Sequence, residues 1–339
     1  MTIVLDAMGS DDCPVPEVIG AIQAAKELGE KIILVGDETQ LLNLLEEHNG
    51  KGLPIEVIHA PEAITMHDKA VDGVKQKPNS SMAVGLELLK NDKTAVFVTA
   101  GNTGAAMFTA LRKLGRMKNV LRPGLTTIFP TITGKCVVLD IGANVECRPE
   151  FLLQFAIMGN EYAKSALKIA NPRVGILSNG EEDSKGNPLV KEAFKLLQHS
   201  RVNFIGNVEA KEIFNGNVDV VVTDGFTGNV LLKSSEAVAG LMTKILKREF
   251  LATTRTKLGA VLAKPALNAL KDLMDPSEIG AAPLLGVDGL VFIGHGRSDA
   301  RAIYSAVKSA SIIAKGDLIT NLQQSITTQI ESTEGTESA

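Results

Sequence analysis

A chain of 339 residues with 45% hydrophobic side chains can bury one large α/β core or two lobes and is not disordered as a whole. Its net charge of −4 gives no basic surface of the kind that binds nucleic acid, so no nucleic-acid partner is expected. Three cysteines, Cys13, Cys136 and Cys147, without CxxC spacing fit a reducing compartment and argue against a disulfide framework or zinc ribbon. The opening "MTIVLDAMG" enters a strand without a basic segment or a long apolar core, so no signal peptide is expected. No run of about 18 uncharged apolar residues is present to cross a bilayer. The expected location is the cytosol.

Short apolar runs alternate with helical periods along the chain. A strand at 3–5 precedes a helix at 16–28. Strands at 32–35 and 55–58 enclose a helix at 40–47. A helix at 80–90 leads to a strand at 95–99 and a helix at 104–114. Strands at 125–129 and 136–140 follow, then a long helix at 150–169, a strand at 173–177, a helix at 189–197 and strands at 203–205 and 219–223. A helix at 229–248 comes next, and a last strand at 290–293. Runs such as "CVVLD" and "DVVVTD" are apolar on both faces, as in parallel strands covered on both sides. The alternation predicts an α/β fold with a mostly parallel, doubly wound sheet.

Two stretches differ. Residues 240–275 combine helical periodicity with Lys244, Lys247, Arg248, Arg255, Lys257, Lys264 and Lys271 against only Glu249, Asp272 and Asp275. Pro265 is expected to break them into a projecting helical hairpin. Residues 1–323 are read as one domain carrying this insertion, and the polar stretch 324–339 as a flexible tail.

Five strand ends share one chemistry: Asp6-Ala7-Met8-Gly9, Ala100-Gly101-Asn102-Thr103-Gly104, Asp140-Ile141-Gly142-Ala143-Asn144, Ser178-Asn179-Gly180-Glu181-Glu182 and Asp224-Gly225-Phe226-Thr227-Gly228-Asn229. Ligands of open α/β sheets sit beyond the carboxyl ends of the strands. Glycine lets backbone N–H groups approach an anion, a helix N-terminus adds partial positive charge, and Thr and Asn add neutral donors. Taken singly, each turn reads equally as a helix cap. Taken together, the five predict a shared phosphate-handling pocket. Walker A, G-x-G-x-x-G and G-x-S-x-G signatures are absent, and His48, His59, His67, His199 and His295 are scattered, so no nucleotide cofactor and no metal is expected. Arg122 in "LRPG" and Lys185 in "EEDSKGN" are candidate partners for an anion. His295 in "IGHGRSD" is as readily a polar loop residue as a functional one.

At this point the chain resembles a known family, the fatty acyl-ACP:phosphate acyltransferases of bacterial phospholipid synthesis (PlsX type). The motifs that carry the resemblance span Ile3 to Val307: "DAMGSD", "SSM", "AGNTGA", "RPGL" with "FPT", "LDIGAN", "GEEDSKGN", "GNVEA", "DGFTGNVLLK", "GAAPLLGV" and "GHGRS". The resemblance implies a three-layer α/β/α fold similar to phosphate acetyltransferases and isocitrate-type dehydrogenases. It also implies a homodimer in the cytosol with peripheral membrane contact, and the membrane glycerol-3-phosphate acyltransferase as a candidate partner. The family pattern "GGDHAP" reads "GSDDCP" here, with Ser10, Asp12 and Cys13 in place of Gly, His and Ala. No role of that His carries over.

The implied reaction is attack of inorganic phosphate on the thioester of a fatty acyl-carrier protein. Phosphate is largely dianionic at neutral pH, and a thiol of pKa about 8.5 leaves with little help. What remains is positioning and oxyanion stabilisation, which backbone N–H groups and neutral donors supply without a triad. Asn102, Thr103, Asn144, Lys185, Asn229 and His295 are the candidate catalytic residues. Asp6, Gly9, Gly101, Gly104, Arg122, Gly142, Gly180, Glu182, Asp224, Gly225, Thr227 and Gly228 are the candidate substrate- and phosphate-binding residues. Two alternatives stay open: a phosphate acetyl- or butyryltransferase using short acyl-CoA, and a non-catalytic phosphate-binding scaffold of lipid synthesis.

Overall fold

The computed structural model describes residues 1–274 and 280–337. In chain order the elements are β1 Thr2–Asp6, α1 Val15–Leu28, β2 Lys31–Gly36, α2 Glu38–Glu47, β3 Ile55–His59, α3 Ala70–Gln76, α4 Ser81–Asn91, β4 Val96–Thr99, α5 Thr103–Lys113, β5 Gly124–Pro130, β6 Lys135–Leu139 and α6 Pro149–Tyr162. Then follow β7 Arg173–Leu177, α7 Pro188–Gln198, β8 Asn203–Val208, α8 Ala210–Asn215, β9 Val220–Val222, α9 Gly225–Ala252, α10 Thr254–Leu262, α11 Lys264–Met274, β10 Ala281–Leu285, β11 Leu290–Gly294, α12 Ala300–Ala314 and α13 Leu318–Glu337.

Among the described residues eleven strands form one sheet, in the order β3-β2-β1-β4-β11-β10-β5-β6-β9-β7-β8. Alternate residues of each strand feed opposite faces, the period-2 consequence of the pleat. Leu5, Leu34, Val98, Leu139, Ile176 and Val222 pack beneath α1, α6, α7, α12 and α13. Val4, Val35, Phe97, Val138 and Val221 pack on the other face beneath α4 and α5, and Leu231 and Leu232 of α9 join them. Strands such as β4 and β9 are buried at every position, which is why they read as continuous apolar runs. The result is the three-layer α/β/α architecture expected from the sequence.

Strand direction is where the molecule departs from a simple doubly wound sheet. β10 is antiparallel to both β11 and β5, and β6 is antiparallel to β5. Consequently β1 to β4 and β11 run one way, while β6, β9, β7 and β8 run the other. β10 is not among the predicted strands, and it carries Pro283, a residue that local rules keep out of central strands. Pro283 sits where β10 passes from pairing with β11 to pairing with β5, so its missing N–H falls at a change of partner.

Two further expectations are corrected. Residues 324–337 are helical as part of α13, not a flexible tail; Leu322 and Ile326 are fully buried and Gln329 is nearly so. The segment 240–274 is three helical pieces. It breaks at Thr253, where a Thr253–Thr256 capping box starts α10, and at Ala263. Pro265 occupies the first turn of α11, where its missing N–H costs nothing. Asp275 lies outside the described residues.

Candidate active site

The first group of site residues lies at the carboxyl ends of β1, β4 and β11. Asp6 is buried and accepts hydrogen bonds from Thr99 Oγ1 at 2.7 Å and Met8 N–H at 3.2 Å. The Gly101 N–H donates to the same Thr99 hydroxyl at 3.0 Å. This chain locks the β1 and β4 turns together. A Cβ on Gly9 would stand 2.8 Å from Asp6 Oδ2 and 2.9 Å from the Gly101 backbone, so only glycine fits. Burial raises the Asp6 pKa, opposed by its hydroxyl and backbone donors. Beneath the same turn lies Glu17 of α1, fully buried. Neither its carboxyl oxygens nor the Ser10 hydroxyl has a hydrogen-bond partner among the described residues. Burial pushes Glu17 up to about 7.

Asn102 caps α5, accepting from Ala105 N–H at 3.1 Å and donating to the Asp68 carbonyl at 3.1 Å. Lys77 holds Asp68 with a 2.6 Å ion pair and depresses its pKa to about 2. The first-turn N–H groups of Thr103 and Gly104 have no intrahelical acceptor and no acid follows them in that turn. Thr103 and His295 line an open cleft of about 660 Å³ with Asp11, Lys233, Glu236 and Arg297. His295 Nε2 is 4.0 Å from Glu236 Oε1. Burial lowers the His295 pKa more than Glu236 raises it, so the imidazole is neutral at neutral pH.

The second group is at the ends of β6 and β9. A buried carboxylate, Asp140, gathers the N–H groups of Leu125, Gly142, Ala143 and Asn144 and the Asn144 amide at 2.7–3.1 Å. The Gly225 N–H donates to the Asn144 carbonyl at 2.8 Å. A Cβ on Gly225 would meet Asn144 and Asp140, and one on Gly228 would overlap the Asp140 carbonyl, so these glycines let α9 start against the turn. Gly142, at φ 145°, faces Asn229. Arg122 and Arg148 both lie over the Phe151 ring nearby. In the neighbouring β7 turn, Gly180 leaves room for Glu182 and for the stem of Lys185. Lys185 is exposed and makes no ion pair among the described residues.

Counting donors separates the candidates. Both Asn144 amide hydrogens are taken, by the Pro123 carbonyl and Asp140. The Thr227 hydroxyl donates to Asp224, whose carboxylate also caps α9. These two, and the N–H groups of the Gly142 turn, therefore build the wall. Asn229, Thr103 and Lys185 keep unengaged donors.

Strands of opposed direction carry the two groups of turns, β1, β4 and β11 the first and β6, β9 and β7 the second. The helix α9 connects them. Asn229, Lys233 and Glu236 are spaced i, i+4, i+7 on one helical face, and Asn229 and Glu236 are about 10 Å apart along the axis. The sequence reading missed Lys233, Glu236, Asp11 and Arg297. The helical phase running on from Asn229 would have found Lys233 and Glu236.

A protein-family model described as "Fatty acid synthesis protein" matches residues 1–321. The chain belongs to this family. The phosphate acyltransferase of Geotalea uraniireducens is 48% identical to this chain over 91% of it and 90% of the relative. The phosphate acyltransferase of Acidobacterium capsulatum is 49% identical over 92% and 93%, and that of Pelotomaculum thermopropionicum 46% over 96% and 95%. Solved structures share the fold at lower identity. A phosphotransacetylase from Streptococcus pyogenes superposes with a TM-score of 0.59 at 17% identity, covering 96% of this chain and 94% of that one. The EutD phosphotransacetylase from Staphylococcus aureus gives 0.57 at 18%, covering 93% and 94%. Ser10, buried, and Cys13, half-buried, stand in the turn between β1 and α1, near Glu17. Burial pushes the Cys13 thiol up to about 11, with Glu17 and Asp6 adding to it.

Proposed function

We propose that this protein is an acyltransferase that moves the acyl group of a fatty acyl-carrier protein to inorganic phosphate, releasing the carrier thiol and an acyl phosphate for phospholipid synthesis. The observation that carries the site reading is the donor inventory at the start of α9. Asn229 and Lys185 stand unengaged beside a wall whose other polar groups satisfy one another. In this reading Lys185 and Arg122 attract the phosphate dianion, and Asn229 donates to the oxyanion that forms as phosphate adds to the thioester carbonyl. The groove along α9 toward Thr103 and His295 takes the carrier's thioester arm. His295, neutral, serves as a donor or acceptor in that groove and not as a charge.

Cysteine chemistry has little support. Burial, reinforced by Asp140, pushes the Cys147 thiol up to about 12, and burial raises Cys136 well above its usual range. Thiols so protonated at neutral pH are poor nucleophiles. Direct attack by phosphate is therefore the favoured course.

No described helix is long and apolar enough to cross a membrane. The proposal extends to a cytoplasmic homodimer with peripheral membrane contact, where the membrane glycerol-3-phosphate acyltransferase would take the product. The support is α9 to α11: only Gly225 and Gly228 of α9 are buried, and Val238, Leu241, Met242, Leu251, Leu258, Val261 and Leu262 are about half exposed or more.

A hydroxylamine trap tests the reaction. With a long-chain acyl-carrier protein, hydroxamate should form with enzyme and phosphate at a rate well above the background that hydroxylamine gives with the thioester itself. Equal activity with acetyl- or butyryl-CoA would favour a short-chain phosphotransacylase, and phosphate binding without any hydroxamate would favour a scaffold.

A further inference from the structure

The motif Gly206-Asn207-Val208-Glu209-Ala210 ends the edge strand β8 and starts α8, outside the reaction site proposed above. The pairing of β7 with β8 slips by one residue: Val174 faces Phe204, but Gly175 faces Gly206. Ile205 is the extra residue, and Gly206 takes φ 103°. A bulge of this kind re-aims the side chains beyond it. Ile205 is 44% exposed, whereas Asn207 is 5% exposed. The amide of Asn207 is thereby turned onto the loop that follows β7.

Its Nδ2 donates to the Glu182 carbonyl at 2.7 Å. The same carbonyl accepts the N–H of Lys185 at 2.9 Å. Among the described residues Asn207 Oδ1 has no partner, and the Glu182 carbonyl is the group this amide engages. Two further ties hold the loop. Gly186 N–H donates to Asn179 Oδ1 at 2.9 Å, and Lys211 pairs with Glu181 at 2.9 Å. The stem of Lys185 crosses Gly180 so closely that a Cβ there would lie 2.9 Å from Lys185 Cγ. Lys185 itself is exposed, so nothing but its loop fixes where its ammonium stands.

We infer that Asn207 is a positioning residue for Lys185: from β8 it pins the Glu182 carbonyl that anchors the Lys185 backbone, and so fixes the ammonium for phosphate. The inference rests on the reading of Lys185 as the phosphate partner. A cation on an untethered loop must be ordered when the anion arrives, and that ordering is charged against phosphate binding.

The test is initial-rate kinetics on the full chain with phosphate varied at saturating acyl-carrier substrate. The variants are Asn207→Ala, Asn207→Asp, Asn179→Ala, Lys185→Ala and the Asn207→Ala/Lys185→Ala double. Asn207→Asp keeps the shape but turns an acceptor onto the carbonyl. Both Asn207 variants should raise the phosphate KM about tenfold and leave the KM for the acyl substrate unchanged. Asn179→Ala, an exposed change that keeps the test alive if Asn207 variants do not fold, should move the phosphate KM in the same direction. The double variant should be no worse than Lys185→Ala alone. Labelling of Lys185 by trinitrobenzenesulfonate, read by mass, should need more phosphate for protection in Asn207→Ala than in wild type. A raised phosphate KM in Lys185→Ala with wild-type values in the Asn207 and Asn179 variants overturns the inference alone, as does an additive double variant. A wild-type phosphate KM in Lys185→Ala overturns the reading of Lys185 itself.

Discussion

Asn229 and Asn102 carry the same residue type in similar turns, yet their surroundings differ. Asn102 already spends its oxygen on the α5 cap and one hydrogen on Asp68, while Asn229 has no such engagement. Asn229→Ala should lower turnover by roughly 10²-fold or more with the fold intact. Asn102→Ala should act on α5 as well, so its loss of turnover should come with a lowered unfolding midpoint. Lys185→Ala should chiefly raise the phosphate requirement. Steady-state kinetics beside thermal melts check all three, and unchanged kinetics in every variant would remove these turns from the site. Glu17 makes a separate prediction. Its pKa is raised from an ordinary 4.5 to about 7, so between those values the folded state holds a proton that the unfolded state has lost. Stability therefore falls as pH rises through that window, by on the order of 3 kcal/mol in total. Glu17→Gln should flatten this: its denaturation midpoint, relative to wild type, should rise from pH 5 to pH 8. A constant difference across that range would show that Glu17 does not titrate in the native fold. The caps were legible in sequence because Asn and Asp before a helix act locally. Glu17 was not, because nothing near it in the chain announces that it is buried beside Ser10 and Asp6 at the end of β1.

At the scale of elements, the apolar runs located the parallel strands well, since full burial on both faces leaves a direct imprint on sequence. Failures came where tertiary context overrides a local rule. β10 carries Pro283 in a central strand, and the Ser- and Thr-rich composition of 324–337 hid a helix whose Leu322 and Ile326 reach the core. The segment α9 to α11 was legible as helical and basic, and so was its break at Ala263 just before Pro265; the break at the Thr253 capping box was not. Its exposed Leu251, Leu258, Val261 and Leu262 are flanked by Lys244, Lys247, Arg248, Arg255, Lys257 and Lys264, a composition suited to an anionic bilayer surface. Co-sedimentation should require anionic liposomes and weaken with salt, and equal binding to neutral liposomes at high salt would contradict the electrostatic part. Leu241→Asp should shift the protein toward monomer in light scattering if Val238, Leu241 and Met242 face a second copy.

For the molecule as a whole, the three-layer fold followed from alternation, but the reversal of strand direction between the two halves did not, because it depends on an antiparallel strand that the sequence conceals. That reversal places the five similar turns on two sets of strands, with α9 running from the Gly142 turn toward Thr103 and His295. The chemistry then asks only for positioned reactants. Phosphate arrives as a nucleophile, and the thiols at Cys13 and Cys147 are held protonated by burial. Initial-rate kinetics with both substrates varied, paired with mass analysis of protein incubated with acyl-carrier substrate in the absence of phosphate, tests this most directly. Intersecting lines and an unmodified protein mass are the expected result; parallel lines, or an acyl group recovered on the denatured chain, would contradict direct attack and make Cys147 the first residue to examine.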